Sequence, residues 1–316
     1  MVPKRDTSKP TPPEQRRRLA IRLGAAALGV TAGLTALGVM WPEGDRAVSS
    51  DDLPTAASLA DPPSRAITLL LIGSDADRRG AVRNGAAPPG PANSDALALV
   101  QVNPKGALQV LSLPVEAAVQ LPGDKRPVEL GSLYRRGGPA LVAGAAAELV
   151  GLPKGQPDRY LVLPRAALRQ LVDDLGRIEL APDRSMHYQD KAQKYRIQLD
   201  GGLQQLSGAQ VEQLLRFRDQ ERGEEGRRER QQMTIESLLR QMGQQQQLTQ
   251  LPDLLRQLQD QVDTNLTQSE ALSLLAVTLQ PSQSVAFRQL SLRPPRKPGE
   301  RLREVDPAAR DQAWER

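Results

Sequence analysis

Residues 67–75 read "ITLLLIGSD" and residues 93–113 read "NSDALALVQVNPKGALQVLSL". The runs "ITLLLIG", "DALALVQV" and "ALQVLSL" are apolar, short and bounded by turn residues, which is the length of buried strands and not of helices. Between the second and third stands "NPKG", a hairpin turn, so at least one antiparallel pair is expected. Further along the period changes. "GPALVAGAAAELVG" at 138–151 and "PRAALRQLVDDLG" at 164–176 repeat apolar residues at helical spacing and stop at glycine. Strands interleaved with helices predict an α/β fold, an α/β/α sandwich around a central mixed β-sheet.

Composition narrows the function classes. With 316 residues, 39% hydrophobic and 25% charged, the chain has material for one large domain with appendages. A net charge of +5 could suit a polyanion, but acidic residues are interleaved with the basic ones almost throughout. Aromatic residues make up 3%, too few for a base-stacking platform, so no nucleic-acid partner is expected. The absence of cysteine excludes disulfides, thiolate metal sites and cysteine nucleophiles, and His187 as the single histidine excludes a His-rich centre. His187 also lacks Ser/Asp partners by motif, and no P-loop or G-x-G-x-x-G occurs.

Residues 1–22 are basic, and Leu23–Trp41 is a run of 19 residues without a charge. As a helix it would be about 28 Å long, close to the hydrocarbon thickness of a bilayer. The expectation is a single-pass membrane anchor with residues 1–22 cytoplasmic, 23–41 spanning, 42–64 a linker, and the main domain at 65–290 outside the cell. The rival reading is a cleaved signal peptide, against which stand the length of the run and the lack of an A-x-A site directly after it. Residues 294–316, charged and proline-containing, are expected to form a disordered tail.

The stretch "RFRDQERGEEGRRERQQ" at 216–232 holds six arginines and no lysine. Ser207 and Gln210 form a capping box flanked by Leu206 and Val211 as a hydrophobic staple, so a helix should begin at Ser207 and carry Arg216 and Arg218 near its end. A second helix is expected from about Arg227 to Met242. Such a turn brings Arg216, Arg218 and Arg227 near one another, where their planar forks suit phosphate. The competing reading is a solvated ion-pair surface, since Asp219, Glu221, Glu224, Glu225 and Glu229 lie among them.

The ordered series "ITLLLIGSD", "NSDALALVQVNP", "LQVLSLP", "LVDDLGRIEL", "MHYQD", "LDGGLQQLSGAQVEQLLRFR" and "EEGRRERQQ" resembles the LytR/CpsA/Psr family over roughly residues 65–285. The resemblance implies a membrane-anchored phosphotransferase that moves a glycopolymer from a polyprenyl-pyrophosphate carrier to a peptidoglycan hydroxyl. It also implies Mg2+ at the pyrophosphate and the lipid in an apolar tunnel beneath the sheet. By position it implies catalytic roles for Asp75, Asp95, Arg216 and Arg218, with Asp75 and Asp95 holding the metal. It implies that Arg227, Arg230 and Gln231 hold the pyrophosphate. Magnesium favours such sparse carboxylate support completed by phosphate oxygens, and arginines neutralise the charge that builds on phosphoryl oxygens.

The departures matter equally. Where the family carries an arginine after the proline of the third strand, this chain has Val115 and Glu116, and Arg177 stands at a usual glycine. Asn93 replaces a frequent arginine, while Arg78, Arg79 and Arg83 lie in the loop after Asp75 and are candidates for substrate binding. Asp173 and Asp174, at a helix end before glycine, read as structural. Two functions therefore stand open: the transferase, or a degenerate relative that binds the lipid pyrophosphate or an envelope partner without turnover.

Overall fold

The computed structural model describes residues 54–85, 90–190, 195–218, 221–297 and 299–310. The predicted basic N-terminus and membrane span, and the linker up to residue 53, lie outside the described residues. Among the described residues no helix is long and apolar enough to cross a membrane.

The strands read from the sequence form the centre of a six-stranded sheet. Its members are β1 (Ile67–Ser74), β2 (Ser94–Val102), β3 (Leu108–Ser112), β4 (Arg159–Leu163), β9 (Asp263–Thr264) and β10 (Val285–Gln289). Between β4 and β9 in the chain come β5 (Ile178–Leu180), β6 (Met186–Asp190), β7 (Tyr195–Leu199) and β8 (Gln204–Leu206), paired as two ribbons, β5 with β8 and β6 with β7. The order across the main sheet is β9-β4-β1-β2-β3-β10. β1–β2 and β2–β3 are antiparallel, the second joined by the "NPKG" turn, whereas β4 runs parallel to β1 and β10 parallel to β3. The sheet is therefore mixed.

Register sets the two faces. Leu70 pairs with Leu99 and Ile72 with Leu97, and these side chains pack with Leu111, Leu113 and Val162 against Val142, Ala145 and Ala146 of α1 (Tyr134–Val150). The intervening Leu69, Val100, Val102, Leu108 and Val110 face the other way. They meet Leu274 and Val277 of α5 (Gln268–Thr278) and Leu239 of α4 (Gly223–Met242). Period-two alternation thus divides each strand between two helical layers. The α1 segment is broken at Gly137–Gly138, where Gly138 has φ 62°, so regular helix runs from Pro139, close to the sequence reading.

A second core lies under the ribbons. Ile178, Leu180, Met186, Ile197, Leu199 and Leu206 bury Val211 and Leu214 of α3 (Gly208–Arg216) together with Val172 of α2 (Arg165–Asp174). The expected capping box is present: Gln210 N–H donates to Ser207 Oγ at 3.4 Å and Ser207 N–H to Gln210 Oε1 at 3.0 Å. Gly208 is demanded by a close approach, because a Cβ there would lie 2.2 Å from the Arg169 carbonyl oxygen. Asp173 Oδ1 accepts the Gly208 N–H at 2.8 Å, the structural role read for it. Arg177 has φ 94°, a conformation that costs a side-chain-bearing residue about 1–2 kcal/mol.

Three boundaries differ from the sequence reading. The compact body begins at Pro54, not residue 65. Ala56 is buried in the cluster of Leu175, Leu251 and Leu279, and Ser273 Oγ donates to the Asp61 carbonyl at 2.6 Å. Helix α4 starts at Gly223, four residues before Arg227, because Glu224 and Glu225 suit a helical first turn. The chain after Arg293, read as disordered, is placed from 294 to 310 except Pro298. There Leu292 bridges Val305, and Ala117 bridges Arg303. Arg293 pairs with Glu304 at 2.7 Å and Arg303 with Glu116 at 3.0 Å. Ion pairs and backbone bonds hold this strap, so it has no apolar periodicity to betray it.

Helix α5 is fastened to β4 by Arg159 and Glu270. Glu270 also accepts the Thr267 N–H at 2.9 Å, closing a capping box. The hydrogen bond from Arg159 and then that from the Thr267 backbone hold the Glu270 carboxyl down at about 2, against an ordinary 4.5. A depressed carboxyl stabilises the fold above its unfolded pKa. That contribution is lost as pH falls from about 4.5 through about 2. Thermal melts across this window should show a shallower acid slope in Glu270→Gln than in the parent chain, and identical slopes would refute the assignment.

Candidate functional site

Because β1 and β2 are antiparallel neighbours, the end of one lies beside the start of the other. Asp75 directly follows β1 and Asp95 is the second residue of β2. Gly73 pairs with Ala96 while Ser74 pairs with Ser94, so Asp95 is the extra residue of a β-bulge. A bulge re-aims a side chain and ends regular pairing at a rim. Here Ser94 stays buried, donating Oγ–H to the Gly131 carbonyl at 3.0 Å, while the Asp95 side chain is 45% exposed.

Asp75 is held by two short hydrogen bonds, from Asn93 N–H to Oδ1 and from Asn84 Nδ2 to Oδ2, each 2.6 Å. Burial pushes its carboxyl above the ordinary value and the neighbouring Asp95 charge adds to this, while the hydrogen bonds from Asn93 and Asn84 and the charge of Arg165 oppose it. Two carboxylates therefore share one rim closely enough to feel each other.

The guanidinium groups arrive from α4 and the turn before it. Arg227, only 5% exposed, pairs with Glu224 at 2.6 Å and reaches to 3.9 Å from Asp95. Its Nε is buried with no acceptor among the described residues. Arg218 Nε lies 3.6 Å from Glu224. Asp95, Arg218 and Glu224 border a cavity of about 340 Å³ whose remaining wall includes Val115, Gly131, Arg135, Arg301 and Arg303. Val115 is its one apolar side chain, so this mouth is polar and differs from the apolar tunnel the resemblance implies.

The predicted R-x-R pair divides. Phe217, the helix C-cap, is extended (φ −62°, ψ 127°), and successive side chains in extended backbone point to opposite sides. Arg218 borders the cavity. Arg216 instead lies over the Tyr195 ring at 4.2 Å and pairs with Glu212 at 3.3 Å. Glu212 is a buried hub: Arg165 reaches it at 2.6 Å, Arg169 also pairs with it, and Arg165 extends to Asp77 in the loop after Asp75.

The other sequence candidates scatter. Arg230 is buried and donates to the carbonyls of Leu214 (3.0 Å) and Phe217, so it fastens the end of α3 to α4 and does not face the cavity. Gln231, on the same helix, does not line the cavity. Arg78, Arg79 and Arg83 are exposed in the loop and form no ion pair among the described residues; of these, Arg79 is near enough to Tyr160 for its charge to be felt there. Sequence reasoning missed Arg165 and Glu212. A signal existed for Arg165: "LVLPR" ends strand β4, which is parallel to β1, so its exit must lie at the same sheet end.

No group of three or more acidic or histidine side chains among the described residues could hold a metal. What fits a divalent cation is the Asp75–Asp95 pair, because Mg2+ is commonly bound through one or two carboxylates with substrate phosphates and water completing the shell. Each Asp75 oxygen has one hydrogen-bond donor, leaving lone-pair capacity.

Fold and rim together define an α/β protein that gathers carboxylates and arginines at the shared end of two central strands, an arrangement for a charged ligand. The LytR_cpsA_psr family model matches residues 46–312, and the chain belongs to this family. A Bacillus cereus protein named polyisoprenyl-teichoic acid--peptidoglycan teichoic acid transferase TagU is 25% identical over 209 residues, covering 66% of this chain and 62% of the relative. The chain thus spans about three fifths of the length of the relatives it matches. Among solved structures, B. subtilis TagV superposes with a TM-score of 0.64 at 18% identity, covering 79% of this chain and 95% of that one. TagT bound to LI-WTA gives 0.60 at 20% identity, covering 80% and 89%. These neighbours share the fold.

Proposed function

We propose that the chain is a membrane-anchored phosphotransferase that moves a glycopolymer from a polyprenyl-pyrophosphate carrier to a peptidoglycan hydroxyl outside the cell, with residues 23–41 as the anchor. The observation that carries this reading is the gathering of Asp95 and Arg218 round one cavity, with Arg227 behind Asp95 at 3.9 Å. Guanidinium forks beside carboxylates suit a phosphoryl group whose charge a divalent cation shares. The names of the relatives, polyisoprenyl-teichoic acid--peptidoglycan transferases, point to the same chemistry.

In the transfer, the acceptor oxygen bonds to the phosphorus carrying the glycan and the hydroxyl proton is released. The bond from that phosphorus to the bridging oxygen breaks, and polyprenyl phosphate departs. Asp75 and Asp95 would hold Mg2+, which when bound supplies charge neutralisation on the phosphate oxygens. Arg218 and Arg227 would orient the pyrophosphate and stabilise the charge on its non-bridging oxygens. Asn84 and Asn93 fix the Asp75 carboxylate. Arg216 acts one step back, through Glu212 and Arg165.

The second reading, a chain that binds the donor without turnover, is favoured by Val115, which offers the cavity no cation. Purified chain with Mg2+, a polyprenyl-pyrophosphate glycan and peptidoglycan separates the two. Metal-dependent release of polyprenyl phosphate with glycan on the acceptor supports the transferase. Binding without release supports the second reading, and no binding ends both.

A further inference from the structure

We propose that the C-terminal strap is part of this site, and that its Arg301, together with Arg135 from a second wall, binds a phosphoryl group of the donor's pyrophosphate in the cavity beside Asp95. This inference rests on the reading of the site given above and assigns it residues outside the ordered motifs.

Charge accounting within the cavity leads to these two side chains. Of its four lining arginines, Arg218 approaches Glu224 at 3.6 Å and Arg303 pairs with Glu116 at 3.0 Å. Arg135 and Arg301 border the same space with no ion pair or hydrogen bond among the described residues. Glu129 and Glu300 are within the lining too, yet among the described residues neither lies within ion-pair distance of the two arginines. Glu300 instead accepts the Arg296 N–H at 2.5 Å. Two guanidinium groups are thus left open toward a cavity of about 340 Å³, within the range of small-molecule sites.

The backbone beneath Arg301 is held, which separates it from a mobile surface arginine. Two residues on, Arg303 N–H donates to the Glu116 carbonyl at 3.1 Å and its own carbonyl accepts from Ala118 N–H at 2.8 Å. Its side chain meets Glu116, a buried carboxylate that also pairs with Arg228 of α4 at 3.3 Å. One carboxylate therefore ties the strap to the helix that carries Arg227. The wall at Val115 and Gly131 cannot supply the charge instead. A Cβ on Gly131 would lie 2.8 Å from the Ser94 carbonyl oxygen and 3.0 Å from Val115 Cβ, so that corner is closed. Arginine forks on either side of a phosphoryl group match its oxygens in a way that a single contact does not.

The test uses the full chain with inorganic pyrophosphate and Mg2+ as the probe, read by calorimetry at fixed ionic strength. Arg301→Ala and Arg135→Ala should each weaken binding about tenfold to a hundredfold, the loss of one charge-assisted contact. Arg301→Lys should recover part of the loss. Melting temperatures should not move, because both side chains are exposed and have no ion pair among the described residues. If both alanine variants bind within twofold of the parent while Arg218→Ala loses binding, the site reading survives and this inference falls. If the parent chain itself does not bind pyrophosphate, both fall together.

Discussion

Asp95→Asn is expected to lower the transfer rate by about a hundredfold to a thousandfold, the scale for removing one preorganised electrostatic group from a reacting centre. The side chain is half exposed and makes no short hydrogen bond, so the folded state should be nearly unaffected. Arg227 keeps its 2.6 Å contact with Glu224 in the variant. A second readout is independent of turnover. The Asp95 charge helps to raise the Asp75 carboxyl, so neutralising it should let the Asp75 pKa fall toward the ordinary range, measurable by carboxyl NMR titration. A full-speed enzyme, or an Asp75 titration unchanged by the substitution, would remove Asp95 from the centre.

Glu212→Gln should cause a large loss of stability. The carboxylate is 7% exposed and contacts Arg165, Arg169 and Arg216. Breaking a buried ion pair from one side costs about 3–5 kcal/mol, because the remaining charges lose their counter-ion in a poorly solvated place. For a domain of this size that lowers the melting temperature by about 6–20 °C. Among the described residues Arg165 is the one of the three arginines that retains another carboxylate, Asp77. A drop of less than 2 °C would mean that water already screens the cluster.

Much of the frame was legible in the sequence because apolar periodicity encodes it. β1, β2 and β3, the "NPKG" turn, α2 and the Ser207 start of α3 all follow from short apolar runs, helical spacing, turn chemistry and capping. β9 did not, since two residues carry no period, and its place depends on side-chain bonds such as Thr264 Oγ1 to the Tyr160 carbonyl at 2.5 Å. The strap escaped for a different reason: polar pairs between distant positions leave no local trace. At the site, the nearness of Asp75 and Asp95 was readable, and so was the turn that brings Arg227 within 3.9 Å of Asp95 and Arg218 to the same cavity as Asp95. The separation of Arg216 from Arg218 was not, because it hangs on the backbone angle of one residue, Phe217. Nor was the inward turn of Arg230, which answers to the carbonyls at the end of α3.

The bulge at Asp95 has a further consequence for how this architecture can vary. An added residue shifts the phase of side-chain alternation between the rim and the interior of β2, so Leu97 and Leu99 keep their partners Ile72 and Leu70 whatever stands at the tip. Selection for filling the interior and selection for the charge displayed at the opening then act on separate stretches of one strand. A lineage can retune the second without re-threading the first.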